Sequence, residues 1–167
     1  MKGVDFKVEF FYDLLNNYAL VCSILGWTLA QIFKFILTLV VNRRLEFERL
    51  FGAGGMPSGH SATVTALVIA VSRQCGVSSV EFAIATVIAS VVIYDAMGVR
   101  HEAGKHAQVI NQMVKVSKED DIPENDISAN ELKESLGHTP LEVLGGIMLG
   151  ILIPVILPMN VLPVGNL

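Results

Sequence analysis

Charged side chains are scarce in this sequence. Only 17% of its 167 residues are Asp, Glu, Lys or Arg, whereas 52% are hydrophobic. Soluble globular domains average about 25% charged residues. The deficit argues against an ordinary soluble protein and predicts a single membrane domain over residues 1–167. Nothing in the sequence indicates a nucleic-acid partner.

Cysteine is also rare, with Cys22 and Cys75 as the two in the chain. Both lie in or beside apolar segments, and no Cys-x-x-Cys motif or Cys/His cluster accompanies them. The composition therefore excludes a disulfide-rich scaffold and gives no sign of a structural zinc site. We interpret both cysteines as packing residues.

Long apolar runs are what the sequence does contain. Residues 18–41 have Lys34 as their only charge, and residues 143–167 have none. A helix needs about 20 such residues to cross a bilayer. Together with two shorter apolar segments, they predict an all-α polytopic membrane bundle with spans near 18–41, 57–74, 78–97 and 141–163. The alternative for the two middle segments is that they are buried helices of a soluble bundle.

Four spans predict a simple topology. The loops 42–56 and 98–140 would share one side of the membrane, so the segments at His60 and His138 would open on the same face. Most Lys and Arg residues outside the spans also fall on this face, and such an excess is typical of the cytoplasmic side. We expect an integral, multi-pass protein whose histidine-bearing face is cytoplasmic.

The long second loop has two parts. Apolar residues recur at helical spacing from Val99 to Val116, which predicts an amphipathic helix on or near the membrane surface. Residues 117–135 are strongly acidic. Such a run is typical of a solvated linker with a short helix rather than of a catalytic site.

The first candidate site is the segment Gly54-Gly55-Met56-Pro57-Ser58-Gly59-His60. Glycine permits tight turns, proline suits a first helical position and serine can cap a helix, so several amide N–H groups would point at one place. A helix N-terminus attracts anions through these groups and through its dipole. A plain helix start explains the glycine, proline and serine equally well. An imidazole at the point where a helix enters lipid, however, is costly to desolvate. A residue that only helps to start a helix would not need to be a histidine.

The second candidate site begins at His138. Glu142 lies four residues later, so the two side chains can meet on a helix that starts near Thr139. A carboxylate bound to one ring nitrogen fixes the tautomer and leaves the other nitrogen free to attack. The alternative is an ordinary capped helix with a histidine at its edge. Gly146 and Gly150 are spaced for close helix packing, and their face also permits a homo-oligomer.

Phosphoryl transfer also needs fixed positive charge around the phosphate oxygens. Arg100 is the best candidate, because it follows a predicted helix break and Asp95 is near enough in sequence to orient it. Lys34, about two turns inside the first span, either snorkels to the surface or has an anionic partner. The other candidates on this face are Arg43 and Arg44, which can also be anchors of the first span, Lys105 and Lys133.

Four ordered motifs between residues 25 and 160 resemble those of the divergent PAP2 family, which is related to type 2 phosphatidic acid phosphatases. They are Gly-Gly-Met-Pro-Ser-Gly-His-Ser-Ala (54–62), Tyr-Asp-Ala-Met-Gly-Val-Arg-His-Glu-Ala-Gly (94–104), Gln-Val-Ile-Asn (108–111) and Leu-Lys-Glu-Ser-Leu-Gly-His-Thr-Pro-Leu-Glu-Val (132–143). The resemblance implies that His138 is a nucleophile, Glu142 its orienting carboxylate and His60 the acid for the leaving group. It also implies that Ser58 and Gly59 bind phosphate.

The chain departs from the wider superfamily in its cations. The first signature there is Lys-x6-Arg-Pro, but the residue at that spacing from Lys34 is Val41, with Arg43 two positions later and no proline. The arginine expected six residues before the nucleophile is Leu132 here, and Arg100 is the residue that can replace it.

These observations predict a membrane phosphatase that hydrolyses a lipid-linked phosphate or pyrophosphate through a phosphohistidine, without a metal ion or another cofactor. Its expected partners are a phosphorylated lipid and the membrane. Two alternatives stay open. One is a catalytically silent binder or carrier of phosphorylated lipid, favoured by the incomplete set of cations, and the other is a structural membrane protein whose histidines are caps.

Overall fold

The computed structural model describes residues 10–42, 55–119, 132 and 138–159, without the side chains of residues 41, 42, 99–101 and 115–119. The regular structure of these residues is helical, which confirms the all-α prediction, and residues 10–16 form a first helical segment. The longer helices are α1 (Tyr18–Asn42), α2 (Gly59–Cys75), α3 (Val80–Met97), α4 (Val99–Glu119) and α5 (Pro140–Ile156). Most of the acidic segment predicted at 117–135 lies outside the described residues.

Two stretches are long and apolar enough to cross a membrane by length and composition. They are Tyr18–Val40, with 23 residues, and Val80–Val114, which joins α3 to α4. The helix Pro140–Ile156 is also apolar but shorter. Large apolar side chains are exposed on the outer faces of α1, α3 and α5, among them Phe33, Ile36, Val87, Val91, Leu144 and Leu152. This surface suits a helical bundle surrounded by lipid.

Serine caps set the starts of the two middle helices. The Ser58 hydroxyl accepts a hydrogen bond from the Ser61 amide at 3.3 Å, so α2 begins at Gly59 rather than at the predicted 57. Pro57 thus lies before the cap and not at the first helical position. In the same way, the Ser79 hydroxyl accepts from the Phe82 amide at 3.1 Å and starts α3 two residues later than predicted.

The last helix is shorter than its apolar run. We predicted a span over 141–163, but α5 ends at Ile156, and Leu157 has an extended backbone with φ −72° and ψ 126°. Leu157 precedes Pro158. A proline disfavours helical geometry at the residue before it, because its ring clashes with that residue's backbone. The sequence remains apolar beyond this point, but the helix does not continue through the described residues.

The predicted amphipathic helix is present as α4. Gly98 separates it from α3 as the C-cap of that helix, and the Gly98 amide donates to the Tyr94 carbonyl at 2.8 Å. Gly104, Ala107 and Asn111 lie on its buried side. Apolar side chains such as Val109 and Met113 are exposed.

Small residues let the helices of the bundle approach closely. α2 packs against α1, α3 and α5, and buries one stripe of alanines, Ala62, Ala66 and Ala70. A methyl group added to Gly26 of α1 would lie 2.9 Å from the Ala62 carbonyl oxygen, and one added to Gly150 of α5 would lie 2.6 Å from it. The expected packing role of the Gly146/Gly150 pair is confirmed. Because α2 of the same chain covers this face, it is not available for the homo-oligomer that the spacing permits.

A polar cluster joins the helices at the end far from the histidines. The buried Tyr18 hydroxyl donates to the Pro154 carbonyl at 2.7 Å. The Arg73 guanidinium donates to that hydroxyl and, at 3.1 Å, to the Leu157 carbonyl. The cluster ties the start of α1 to the ends of α2 and α5.

The two cysteines differ in environment. Cys22 packs in the core beside Tyr18 and Ala66, as predicted. Cys75 is exposed at the end of α2, so its interpretation as a packing residue is wrong. Its position at a helix end, beyond the last alanine of the buried stripe, explains the difference.

We predict that Gly150→Ala destabilises the bundle. The new methyl group would lie 2.6 Å from the Ala62 carbonyl and 2.7 Å from the Thr65 Cβ, so α5 has to move away from α2. Such overpacking costs about 1–3 kcal/mol. The matched control is Gly145→Ala, whose methyl group would meet the flexible end of Met56 at 3.3 Å. Thermal unfolding in detergent should show a lower midpoint for the first variant only, and equal midpoints would contradict the packing argument.

Candidate active site

The two motif histidines lie together at one end of the bundle, which we call the motif end. His60 is in the first turn of α2, and His138 immediately precedes the cap of α5. The centroids of their rings are 6.2 Å apart, and the ring planes are inclined by 59°. His138 is buried, whereas His60 is exposed. Two residues 78 positions apart in the sequence are therefore side by side.

The start of α5 determines the orientation of His138. Thr139 is the N-cap, Pro140 takes the first helical position, and Glu142 completes a capping box. Glu142 Oε2 lies 2.9 Å from His138 Nδ1 and 3.3 Å from the Thr139 amide nitrogen. An ionised carboxylate can only accept hydrogen bonds, so the ring proton of a neutral His138 is on Nδ1. Nε2 then carries a lone pair.

Backbone hydrogen bonds fix the two histidine-bearing segments relative to each other. The Ser58 amide donates to the Glu142 carbonyl at 2.9 Å. The His138 amide donates to the carbonyl of Ala96, in the last turn of α3, at 3.0 Å. The starts of α2 and α5 and the end of α3 are thereby joined by main-chain contacts that do not depend on side-chain rotamers.

Ser58 has a different environment from the one expected of a phosphate ligand. It is fully buried, its amide is bound to Glu142, and its hydroxyl accepts from the Ser61 amide and, at 3.0 Å, from the Ser61 hydroxyl. In this structure it acts as a cap. Gly59, by contrast, takes the first helical position, where an amide has no acceptor within its own helix. A Cβ on Gly59 would lie 3.4 Å from the Gln31 side-chain nitrogen, so α1 covers this helix start closely.

Lys34 belongs to the motif end. Its side chain is only 5% exposed, and its aliphatic stem passes Gly55, where a Cβ would lie 3.4 Å from the lysine Cδ. Gly55 has φ +87°, a conformation that glycine adopts readily. The charge of Glu142 acts on the Lys34 ammonium. Its burial argues against the alternative in which this lysine snorkels to the surface.

The remaining predicted ligands are not brought to the histidines by any described contact. Lys105 is exposed on α4 and pairs with Glu102 at 2.8 Å, so its predicted contact with phosphate is not supported. Asp95 lies near the end of α3 and is half-buried. Arg100 is in the first turn of α4, but its side chain lies outside the described residues, as does the whole of Arg43.

Sequence reasoning missed contacts made by the backbone and by Asn111. The Ala96 carbonyl that holds His138 has no signature in a side-chain pattern. Asn111 lies in the Gln-Val-Ile-Asn motif, to which we assigned no role, and its side chain binds the backbone of Leu132. A polar residue on the buried side of an amphipathic helix was the available signal.

Comparison with known proteins agrees with the resemblance found in the motifs. Residues 15–153 match the divergent PAP2 family, a range that includes both histidine segments. The chain is similar to the uncharacterized membrane protein YuiD of Bacillus subtilis strain 168. The two are 38% identical over 152 residues, which cover 87% of this chain and 96% of YuiD. No solved structure matches the chain.

We predict that His138 carries its proton on Nδ1 and that Glu142 holds it there. Nitrogen-15 NMR of histidine-labelled protein in detergent should show a protonated Nδ1 and a bare Nε2 for this residue. Glu142→Gln should shift these signals toward a tautomer mixture, because an amide can donate as well as accept. Glu81→Gln, a change in the first turn of α3, is the matched control. A proton on Nε2 in the unmodified protein would contradict the geometry.

Proposed function

This chain belongs to the divergent PAP2 family, and on that premise we propose that it is a membrane phosphatase acting on a lipid-linked phosphate or pyrophosphate. The observation that carries the proposal is the pair of imidazoles 6.2 Å apart, one of them held by a carboxylate. An attacking nitrogen must approach phosphorus to about 3–3.5 Å, and an acid must lie about 3 Å from the leaving oxygen. Two rings at this separation can act on opposite sides of one phosphoryl group.

In the first step His138 is the nucleophile. The lone pair of its Nε2 attacks phosphorus while the P–O bond to the lipid breaks. The His60 imidazolium donates its proton to the departing oxygen, which leaves as a lipid alcohol, or as a lipid monophosphate when the substrate is a diphosphate. Glu142 stabilises the positive charge that develops on the His138 ring. The product is a phosphohistidine.

In the second step water releases the phosphate. His60, now neutral, accepts a proton from the water molecule whose oxygen attacks phosphorus. The P–N bond breaks, its electron pair returns to His138 Nε2, and inorganic phosphate departs. Both histidines are restored to their initial protonation states. Since His60 carries every proton that the two steps transfer, the cycle is balanced without a metal ion.

Binding of the phosphate requires positive charge beside the rings. Lys34, buried at the motif end, and the Gly59 amide at the start of α2 are the described groups that support this role. We assign Arg100 and Arg43 as the further cations, and Asp95 as the residue that orients Arg100. We also propose that α1, α2, α3 and α5 span the membrane, with the motif end on the cytoplasmic side.

A second candidate function is binding of a phosphorylated lipid without hydrolysis. It is favoured by two particular observations. The Ser58 hydroxyl is engaged in a helix cap, and the Lys105 ammonium is engaged by Glu102. A site with fewer donors around the phosphate would stabilise a bound anion while giving less support to the transition state.

We predict that His138→Ala and His60→Ala each remove phosphate release from lipid monophosphates and diphosphates, measured with purified protein in detergent. Removal of the nucleophile abolishes the covalent step, and removal of the acid should lower kcat by about 10²- to 10⁴-fold. Vanadate should inhibit, because it imitates the pentacoordinate phosphorus, and EDTA should not.

The matched control is His106→Ala, which removes an exposed imidazole on α4. Its turnover should equal that of the unmodified protein. Turnover by His138→Ala, or turnover by His60→Ala at the rate of the unmodified protein, would exclude the phosphohistidine mechanism. Saturable binding of the same lipids with no phosphate release by the unmodified protein would establish the second candidate instead.

A further inference from the structure

The Asn111 side chain makes a paired contact with the main chain of Leu132. Its Nδ2 donates to the Leu132 carbonyl at 2.9 Å, and its Oδ1 accepts from the Leu132 amide at 3.0 Å. A carboxamide that binds both the amide and the carbonyl of one residue imitates the backbone of a neighbouring peptide. It fixes both the position of that residue and the direction of its backbone. The two residues are 21 positions apart, so the contact is tertiary.

The position of this asparagine is unfavourable without such a partner. Asn111 lies within α4 and is 7% exposed. Asparagine is a poor helix former because its side chain competes for backbone hydrogen bonds, and a buried amide is costly unless its donor and acceptor are both satisfied. Leu132 itself is exposed through its side chain. Among the described contacts, the paired hydrogen bonds rather than apolar burial attach Leu132 to α4.

Leu132 leads directly to the nucleophile. Six residues later the His138 amide is bound to the Ala96 carbonyl at the end of α3. α3 and α4 follow each other through Gly98, whose amide donates to the Tyr94 carbonyl of α3 at 2.8 Å and whose carbonyl accepts from the Glu102 amide of α4 at 3.0 Å. Leu132 is therefore attached to α4 and His138 to the end of α3, the helix that immediately precedes α4 in the chain.

We propose that Asn111 is a positioning residue for His138. By holding Leu132 on α4, six residues before the imidazole, it helps to keep the His138 ring at its distance from His60. The inference rests on the proposed function for its kinetic consequence, but its structural consequence, a defined ring environment for His138, does not. A displacement of about 1 Å at a reacting group can lower a rate by about 10²-fold.

The test compares Asn111→Ala with Gln112→Ala. Both remove a carboxamide from α4, but Gln112 is exposed and adjacent. We expect Asn111→Ala to lower kcat by about 10- to 100-fold while KM changes little, because the phosphate ligands remain and only the nucleophile is misplaced. In nitrogen-15 spectra its His138 signals should broaden or shift toward a tautomer mixture. Gln112→Ala should match the unmodified protein in both measurements.

Asn111→Asp covers the case in which the alanine variant fails to fold. It retains the acceptor for the Leu132 amide and loses the donor to the Leu132 carbonyl, so we expect a smaller change in the same direction. Unchanged His138 signals in a folded Asn111 variant would overturn the inference whether or not the protein is an enzyme. If the unmodified protein turns over substrate and the folded Asn111 variant has the same kcat, the positioning role is overturned and the proposed function stands. No turnover by any form, with altered His138 signals, would refute the function and retain the positioning role.

Discussion

Glu142 makes the contacts on which the rest of the motif end depends. Its carboxylate accepts hydrogen bonds from His138 and from the Thr139 amide, its carbonyl accepts from the Ser58 amide, and its charge acts on Lys34. A carboxylate in apolar surroundings is stable only when its oxygens are paired. Here the same partners that stabilise it are the cap of α5, the candidate nucleophile and a buried cation, so stability and site geometry are not separable at this residue.

Close packing of small residues sets the distances between these groups. Lipid does not drive helices together as water does, so their association depends on van der Waals contact and on hydrogen bonds. Gly26 and Gly150 allow α1 and α5 to approach the Ala62 carbonyl from two sides. Because α2 and α5 carry the two histidines at their starts, the glycine contacts below them also determine how far apart the rings lie. The Tyr18–Arg73 cluster holds the same helices at the other end.

The apolar runs of the sequence predicted where the helices lie, but not where each helix ends or which partner each polar side chain takes. The apolar runs located the helices, but Pro158 ended α5 where hydropathy continued, because hydropathy measures preference for lipid and not backbone geometry. The Ser58 hydroxyl can cap a helix or bind an anion, and the same sequence pattern serves both. In the structure Ser58 caps α2, and its amide is bound to the Glu142 carbonyl. For Lys105, a glutamate three residues earlier on the same helix is the partner that the structure shows.

By itself, the sequence determined that the chain is helical and apolar, and that a carboxylate stands four residues after His138 on the first turn of a helix. Those properties depend on composition and on neighbours along one helix. Only the tertiary structure decided that His60 meets His138, that Lys34 is buried at the motif end, and that Asn111 holds Leu132. Each of these arrangements joins residues far apart in the chain, and the distance between the two histidines depends on how closely the glycine and alanine faces allow α2 and α5 to approach.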